Sequence, residues 1–375
     1  MSISPPTAVR RAFAGADARA HPLRVAVWCV YEGIVKDGSL FKNPDAGLGA
    51  DLLKGWCDLY DYGQAYGFDF VTFDQVIDWQ TVDAIILCDK PLPGNPLVEA
   101  AMVSNARKYL ITSECPIIYP PSWDSAYHPL FDRIWTWDDS LVDGRRFLKN
   151  NSPVDPVLKF DFSALKSQFS VRKLVTMIAG AKSSQHPQEL YSHRVRAIQW
   201  FEASAPECFD LYGMGWDKAH FPSYCGAVAD KLDTLSRYRF CICYENAQGY
   251  PGYITEKMID CLRTGTVPVY GGAPNVARWI PQDCFISITQ FANYFDMLEF
   301  LKSMDARTHA GYLDAMERFV TGPDFYPFSI ACMVEGITHT LHWDLRVDAP
   351  GYELLQNAHT LRMEPTAKPR EALYF

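Results

Sequence analysis

The residues best suited to chemistry lie in one run, Tyr244-Glu-Asn-Ala-Gln-Gly-Tyr-Pro-Gly-Tyr-Ile-Thr-Glu-Lys257. Thr255 reads as a helix N-cap, which places Glu256 and Lys257 in the first turn. A helix start offers unpaired N–H groups and about half a positive charge. Lys257 adds a full charge, so the position suits an anion, most simply a phosphate. Glu256 has a use beside a phosphate if it accepts hydrogen bonds from sugar hydroxyls. The plainer account is a carboxylate favoured by the helix dipole and a solvated lysine. Asn246, Gln248, Tyr250 and Tyr253 add amide donors and acceptors, flat rings and hydroxyls, a set suited to a ring bearing several hydroxyls. Glu245 either faces that ring or braces the loop, and the sequence leaves both open.

A diphosphate needs a second cation. On the helix expected over 188–203, Ile198 and Phe201 mark the buried face, and Arg194 lies one turn before Ile198. An arginine leaning inward calls for an anionic partner. Lys182, in Ala179-Gly-Ala-Lys-Ser-Ser184, is a weaker alternative whose simpler reading is a solvated loop lysine. Metal chemistry has little support. The chain holds no Asp-x-Asp, and His339 and His342 have no accompanying carboxylate or Cys pattern. It also lacks G-x-G-x-x-G, the main mark of a dehydrogenase.

These residues need elements to position them. Strands are expected over 24–29, 68–73, 84–88, 109–112 and 131–137, with helices over 51–66 and 96–108. A turn-rich stretch, Asn150 to Pro156, is the linker candidate. The alternation then restarts, with strands over 174–179, 208–212, 238–244, 266–270 and 284–288. Helices are expected over 188–203, from Glu256 to the stop at Gly265, and over 291–304, 307–320 and 329–344. Alternating strands and helices imply parallel, doubly wound sheets. The reading is therefore α/β with three parts: a Rossmann-like domain over 1–160, a second over 161–345, and a tail over 346–375. Ligands of such sheets sit at the carboxyl ends of the strands.

Composition sets the class. The 375 residues are 48% hydrophobic and 14% aromatic, enough for two cores. A net charge of −9 disfavours a broad nucleic-acid surface. The 11 cysteines include no CxxC pair, and Cys241 and Cys243 alternate with Ile242 as small buried residues of a reducing compartment. With no long apolar run and no secretory signal, the reading is cytoplasmic, with peripheral contact at an inner membrane allowed.

Glu245-Asn246, Gly249-Tyr250, Tyr253-Ile-Thr-Glu-Lys257 and Gly265-Thr-Val-Pro-Val-Tyr270 together resemble the signature of the α-1,3/4-fucosyltransferases, family 10 of the glycosyltransferases, in their bacterial form. The resemblance continues through Trp279-Ile-Pro-Gln-Asp-Cys-Phe285 and covers about 170–325. It implies a GT-B enzyme, with two Rossmann-like domains facing a central crevice, the first for an acceptor and the second for a GDP-sugar. It also implies inverting transfer from GDP-fucose without an essential metal or other cofactor. By that resemblance Lys257 and Arg194 bind the diphosphate, Glu256 meets sugar hydroxyls, and Asn246 and Tyr253 line the donor. The family's base is the glutamate of Glu-Ser-Pro at a strand end, matched here by Glu114-Cys115-Pro116 with cysteine in place of serine. Inversion needs one carboxylate to deprotonate the attacking hydroxyl, and Glu114 fits that need. Trp123, Trp135 and Trp137 suggest sugar stacking. The implied partners are a GDP-sugar and an oligosaccharide or lipid-linked glycan, in surface polysaccharide synthesis. Alternatives are another GDP-deoxyhexose donor, or a non-catalytic glycan- or nucleotide-binding protein.

Overall fold

A computed structural model describes residues 22–44 and 53–345. Residues 1–22 are rich in Pro, Ala and Arg, which predicts a loose arm; apart from its last residue, that stretch and the tail over 346–375 lie outside the described residues. The chain forms two units, one from residues up to Asp155 together with those from Pro327 onward, the other from Pro156–Tyr326.

The first unit holds six strands: β1 (Leu23–Cys29), β2 (Phe68–Thr72), β3 (Ala84–Cys88), β4 (Arg107–Thr112), β5 (Arg133–Thr136) and β6 (Phe147–Lys149). They form one sheet in the order β2-β1-β3-β4-β5-β6, and every recorded pairing is parallel. Both faces are covered, as parallel sheets require. Val25, Val27 and Cys29 of β1 enter one core, while Ala26 and Trp28 between them enter another. The helices of this unit are α1 (Lys54–Ala65) and α2 (Pro96–Val103), joined at the far end of the chain by α9 (Ile330–Leu345).

The second unit holds β7 (Lys173–Ile178), β8 (Phe209–Tyr212), β9 (Tyr238–Tyr244), β10 (Val267–Gly271) and β11 (Ile286–Ser287), also parallel, in the order β11-β10-β9-β7-β8. Its helices are α3 (Phe162–Ser167), α4 (Tyr191–Ser204), α5 (Lys231–Ser236), α6 (Glu256–Arg263), α7 (Tyr294–Ser303) and α8 (Ala306–Thr321). Short polar side chains start most of them: Asp161, Asp230, Asn293 and Asp305 cap α3, α5, α7 and α8. In each sheet the first strand lies between the second and the third. The order therefore reverses at β1/β3 and at β7/β9, the positions where open α/β sheets bind ligands.

Three expectations are corrected. The second unit does not continue to residue 345. Ile330, Met333, Val334, Ile337 and Leu341 of α9 pack into the first core with Leu59 and Tyr62 of α1. Asp344 then pairs with Arg133 at 2.8 Å and accepts from the Tyr109 hydroxyl at 3.1 Å. An apolar helical stripe states that it must be buried, not against which sheet. The helix expected over 96–108 ends at Val103, because Ser104 Oγ turns back to the Ala101 carbonyl, and Arg107 already pairs with Ala84 on β3. The edge strand β6 had no expected counterpart, being only three half-buried residues long.

Candidate active site

The loop from Glu245 to Ile254 leaves the end of β9 and returns to start α6. Its backbone is held on both sides. Leu190 N–H donates to Asn246 O at 3.0 Å and Gln248 N–H to Gln188 O at 2.9 Å, while Gly252 N–H donates to Asn275 Oδ1 at 2.8 Å. Gly249 sits at φ +81, and a Cβ there would lie 2.6 Å from Gln188 Nε2. Glycine is therefore favoured by conformation, and any other side chain would also displace the Gln188 amide.

Glu245 braces the loop. It is fully buried, and its carboxylate accepts from Thr255 N–H at 2.8 Å and from the Thr255 hydroxyl at 2.7 Å. Thr255 is the N-cap of α6, as expected, so Glu245 fixes the residue that begins the helix. Lys257 Nζ lies 3.5 Å from Glu245 Oε2 and 3.6 Å from Glu256 Oε1, and donates to Thr255 Oγ1 at 3.1 Å. Burial disfavours the Lys257 ammonium, but Glu256 and Glu245 outweigh it and raise its pKa. Glu256 shows the converse. Desolvation pushes its pKa up, but Lys257 and Lys231 win and bring it down to about 2. Both side chains are ionised at neutral pH.

Arg194 is buried as expected, but its partners are neutral. One guanidinium nitrogen donates to Tyr244 O and Glu245 O, each at 2.8 Å, and to Asn246 Oδ1 at 3.0 Å. Among the described residues no carboxylate pairs with it directly, and loop oxygens hold it. Burial lowers the Arg194 pKa, with Tyr191 and Glu245 opposing. Tyr253 is buried, and its hydroxyl accepts from Asn246 Nδ2 at 3.3 Å. Arg194, Asn246 and Tyr253 thus form one hydrogen-bonded chain beneath the loop.

A small cleft of about 20 Å³ lies at the β7/β9 reversal, lined by Ile178, Ala179, Tyr244, Arg194, Lys231 and Lys257. Lys231 was absent from the sequence reading. It is the first residue of α5, held 2.8 Å from Asp260 Oδ2. A cation at a helix start opposes the dipole, and that misfit was the signal available in the sequence. Burial disfavours its charge, but Asp260 and Glu256 raise its pKa strongly. Three cations therefore meet one strand-end cleft. Gly213, at φ +132, keeps its wall open, since a Cβ there would lie 1.9 Å from Ala179 O. Lys182 is not part of this cleft. It is exposed and lines a second one with Ser192 and Arg196. Cys241, Cys243 and Cys261 also line the first cleft and hydrogen-bond to one another as free thiols.

Glu114 lies in the first unit, just beyond β4. Tyr31, beyond β1, donates its hydroxyl to Glu114 Oε1 at 2.7 Å. Glu114 N–H donates to Asp89 Oδ2 at 3.3 Å, and Trp123 Nε1 donates to Glu114 O at 3.0 Å. Two of the three expected stacking tryptophans are corrected by burial, while Trp123 is half-buried. Trp135 is a core residue stacked on Tyr109 at 5.3 Å, and buried Trp137 packs on Trp123 at 4.8 Å. Among the described residues, no group of three or more His, Cys, Asp or Glu side chains is placed to hold a metal ion, and no helix is long and apolar enough to cross a membrane. His339 packs on Tyr66 at 5.9 Å.

With this geometry in view, residues 173–317 match the family model described as glycosyltransferase family 10 (fucosyltransferase) C-term. Most of the second unit thus matches the family 10 glycosyltransferases. Its sequence is similar to an alpha-(1,3)-fucosyltransferase of Helicobacter pylori, 38% identical over 89 residues, which is 24% of this chain and 18% of the relative. It is also similar to a human 3-galactosyl-N-acetylglucosaminide 4-alpha-L-fucosyltransferase, 35% identical over 140 residues, 36% of this chain and 35% of the relative. The chain thus spans about a fifth to two fifths of the curated relatives it matches. The family 10 fold extends further than the sequence likeness. A crystal structure of an alpha1,3-fucosyltransferase, also solved with GDP-fucose, aligns over 90% of this chain and 97% of its own at 18% identity, with a TM-score of 0.53. The fold is GT-B, α/β with two Rossmann-like units, and the glycosyltransferase HepE of Anabaena shares it at a TM-score of 0.51 and 10% identity over 86% of this chain and 99% of its own.

Proposed function

We propose that this protein transfers L-fucose from GDP-fucose to a hydroxyl of an acceptor glycan, with inversion and without a metal. The observation that carries the reading is the meeting of Arg194, Lys231 and Lys257 in one strand-end cleft, inside the segment that matches the family 10 model. The leaving diphosphate gains charge as its bond to the sugar breaks. Preorganised cations and a helix start stabilise that charge more in the transition state than before it. With that charge supplied by the protein, a divalent ion has no required place. Glu256, ionised and nearly half exposed, is available to sugar hydroxyls. Asn246 and Tyr253 hold the loop that walls the donor, with Gln248 and Tyr250 on the same loop.

Glu114 is the base in this reading. It takes the proton of the acceptor hydroxyl, the freed oxygen attacks the anomeric carbon from the face opposite GDP, and the carbon–phosphate oxygen bond breaks to release GDP. The acceptor hydroxyl is O3 of a GlcNAc or Glc residue in a surface polysaccharide. The protein works in the cytoplasm, at the membrane periphery where lipid-linked glycans are built.

Calorimetry with GDP, GDP-fucose and GDP-mannose tests the donor. Tightest binding of GDP-fucose is expected, and preference for GDP-mannose would reassign it. GDP release in EDTA, measured with N-acetyllactosamine, lactose and other glycans, tests the rest. Release that depends on acceptor and survives EDTA is expected. Binding with no release for any glycan would reduce the protein to a binding module.

A further inference from the structure

Asp89 is one of two described non-glycine residues with positive φ, at +63, and it is fully buried. A left-handed, buried carboxylate is costly on two counts. Its surroundings show what holds it there. Oδ1 accepts from Ser113 N–H at 3.2 Å and the Ser122 hydroxyl at 2.9 Å. Oδ2 accepts from the Ser113 hydroxyl and from Glu114 N–H. Its own N–H donates to Ile111 O at 2.8 Å. All these groups lie beyond the carboxyl ends of β3 and β4, close to the reversal of strand order. Asp89 therefore ties the two residues after β4 to the segment around Ser122 with four hydrogen bonds, and the second of those two residues is Glu114.

Tyr31 acts on the other end of the same residue. Its hydroxyl holds Oε1, and among the described residues nothing hydrogen-bonds to Oε2. Burial and the Glu114 carboxylate raise the Tyr31 pKa, so it stays the donor. An ordinary surface glutamate has neither its peptide nor its carboxylate fixed. This one has both.

Resting on Glu114 as the base, we propose that Asp89 and Tyr31 are its positioning residues: Asp89 fixes the backbone that carries it, and Tyr31 holds Oε1 so that Oε2 is presented to the acceptor hydroxyl. A base held in this way starts the reaction from the productive geometry, and a displacement of about 1 Å can cost about 10²-fold. The other titratable groups facing the cluster are Cys29 and Cys88 at the ends of β1 and β3, and Tyr119.

The test is the steady-state kinetics of GDP release for the full chain, with GDP-fucose and the glycan that gives most release in the acceptor screen. Tyr31→Phe is expected to lower kcat roughly tenfold or more and leave KM for GDP-fucose unchanged. Asp89→Asn is expected to lower kcat at unchanged GDP-fucose affinity by calorimetry, which also reports folding. An unchanged kcat in Tyr31→Phe, with Glu114→Gln inactive, would overturn the positioning roles and leave the base in place. Full activity in Glu114→Gln would overturn both together.

Discussion

The two strand-end sites are built in opposite ways. In the second unit, Glu245, Thr255, Glu256 and Lys257 come from one continuous run, and ion pairs between near neighbours hold them. In the first unit, Tyr31, Asp89, and the pair Glu114 and Ser122 come from three separate connections, and only the sheet brings them together. The first kind of site survives as a motif, because its spacing is its geometry. The second has no spacing to read. The same contrast separates their charge. The second unit gathers three cations suited to a leaving anion, while the first gathers two carboxylates and a phenol suited to moving a proton.

The proposed division of labour can be broken in order of expected effect. Glu114→Gln is expected to lower turnover about 10²–10⁴-fold, the usual range for losing a general base, while GDP-fucose affinity by calorimetry stays the same. Affinity lost with activity would move Glu114 to donor binding. Lys257→Ala is expected to cost on the order of 10²-fold in kcat, as for a lost oxyanion donor. Near-normal turnover would remove it from the diphosphate. For Lys231→Ala the expected loss is smaller, roughly tenfold or about 1.4 kcal/mol, because Asp260 already engages its ammonium at 2.8 Å. Steady-state kinetics ranks the two lysines, and equal losses would show that Asp260 does not temper Lys231.

Glu245→Gln addresses stability rather than chemistry. One carboxylate oxygen becomes an amide donor facing Thr255 or Lys257, so a loss of about 1–3 kcal/mol is expected in urea denaturation. The smallest effect concerns Asp89. Burial raises its pKa to about 6, above the ordinary 3.8, with the Ser113 and Ser122 hydrogen bonds opposing. Between those values the folded chain holds a proton that the unfolded chain has released. This group's stabilisation is complete below about pH 4 and is lost as pH rises through 6. Urea titrations of wild type and Asp89→Asn from pH 4 to 7 check the sign. The wild type is expected to lose stability relative to the variant as pH rises.

Much of the fold was legible because period and punctuation are local. The strands at β1, β3, β7, β9 and β10 were foreseen within a residue or two, since apolar runs bounded by turn residues are strand signals in any context. The start of α6 at the Thr255 cap and its stop before Gly265, at φ +61, were equally local. Helix α9 was foreseen as a helix and assigned to the wrong unit. Its stripe of Ile330, Val334, Ile337 and Leu341 encodes burial, and the return across the chain to α1 depends on the whole topology. Trp135 and Trp137 looked like sugar platforms because aromatic residues carry the same letters in a core and on a surface.

By itself the sequence determined two alternating α/β halves, the contiguous run that leads into the start of α6, and the likeness that joins residues 173–317 to family 10 glycosyltransferases. It left Glu245 undecided between ligand and brace. Only the fold chose the brace, because the end of β9 and the start of α6 must converge before that carboxylate can reach the backbone of Thr255. Tertiary structure alone brought Lys231 to the cleft and closed Asp89 and Tyr31 around Glu114. Hydrogen bonds act over about 3 Å, and for residues 83 positions apart that distance is set by sheet order, which no local pattern records.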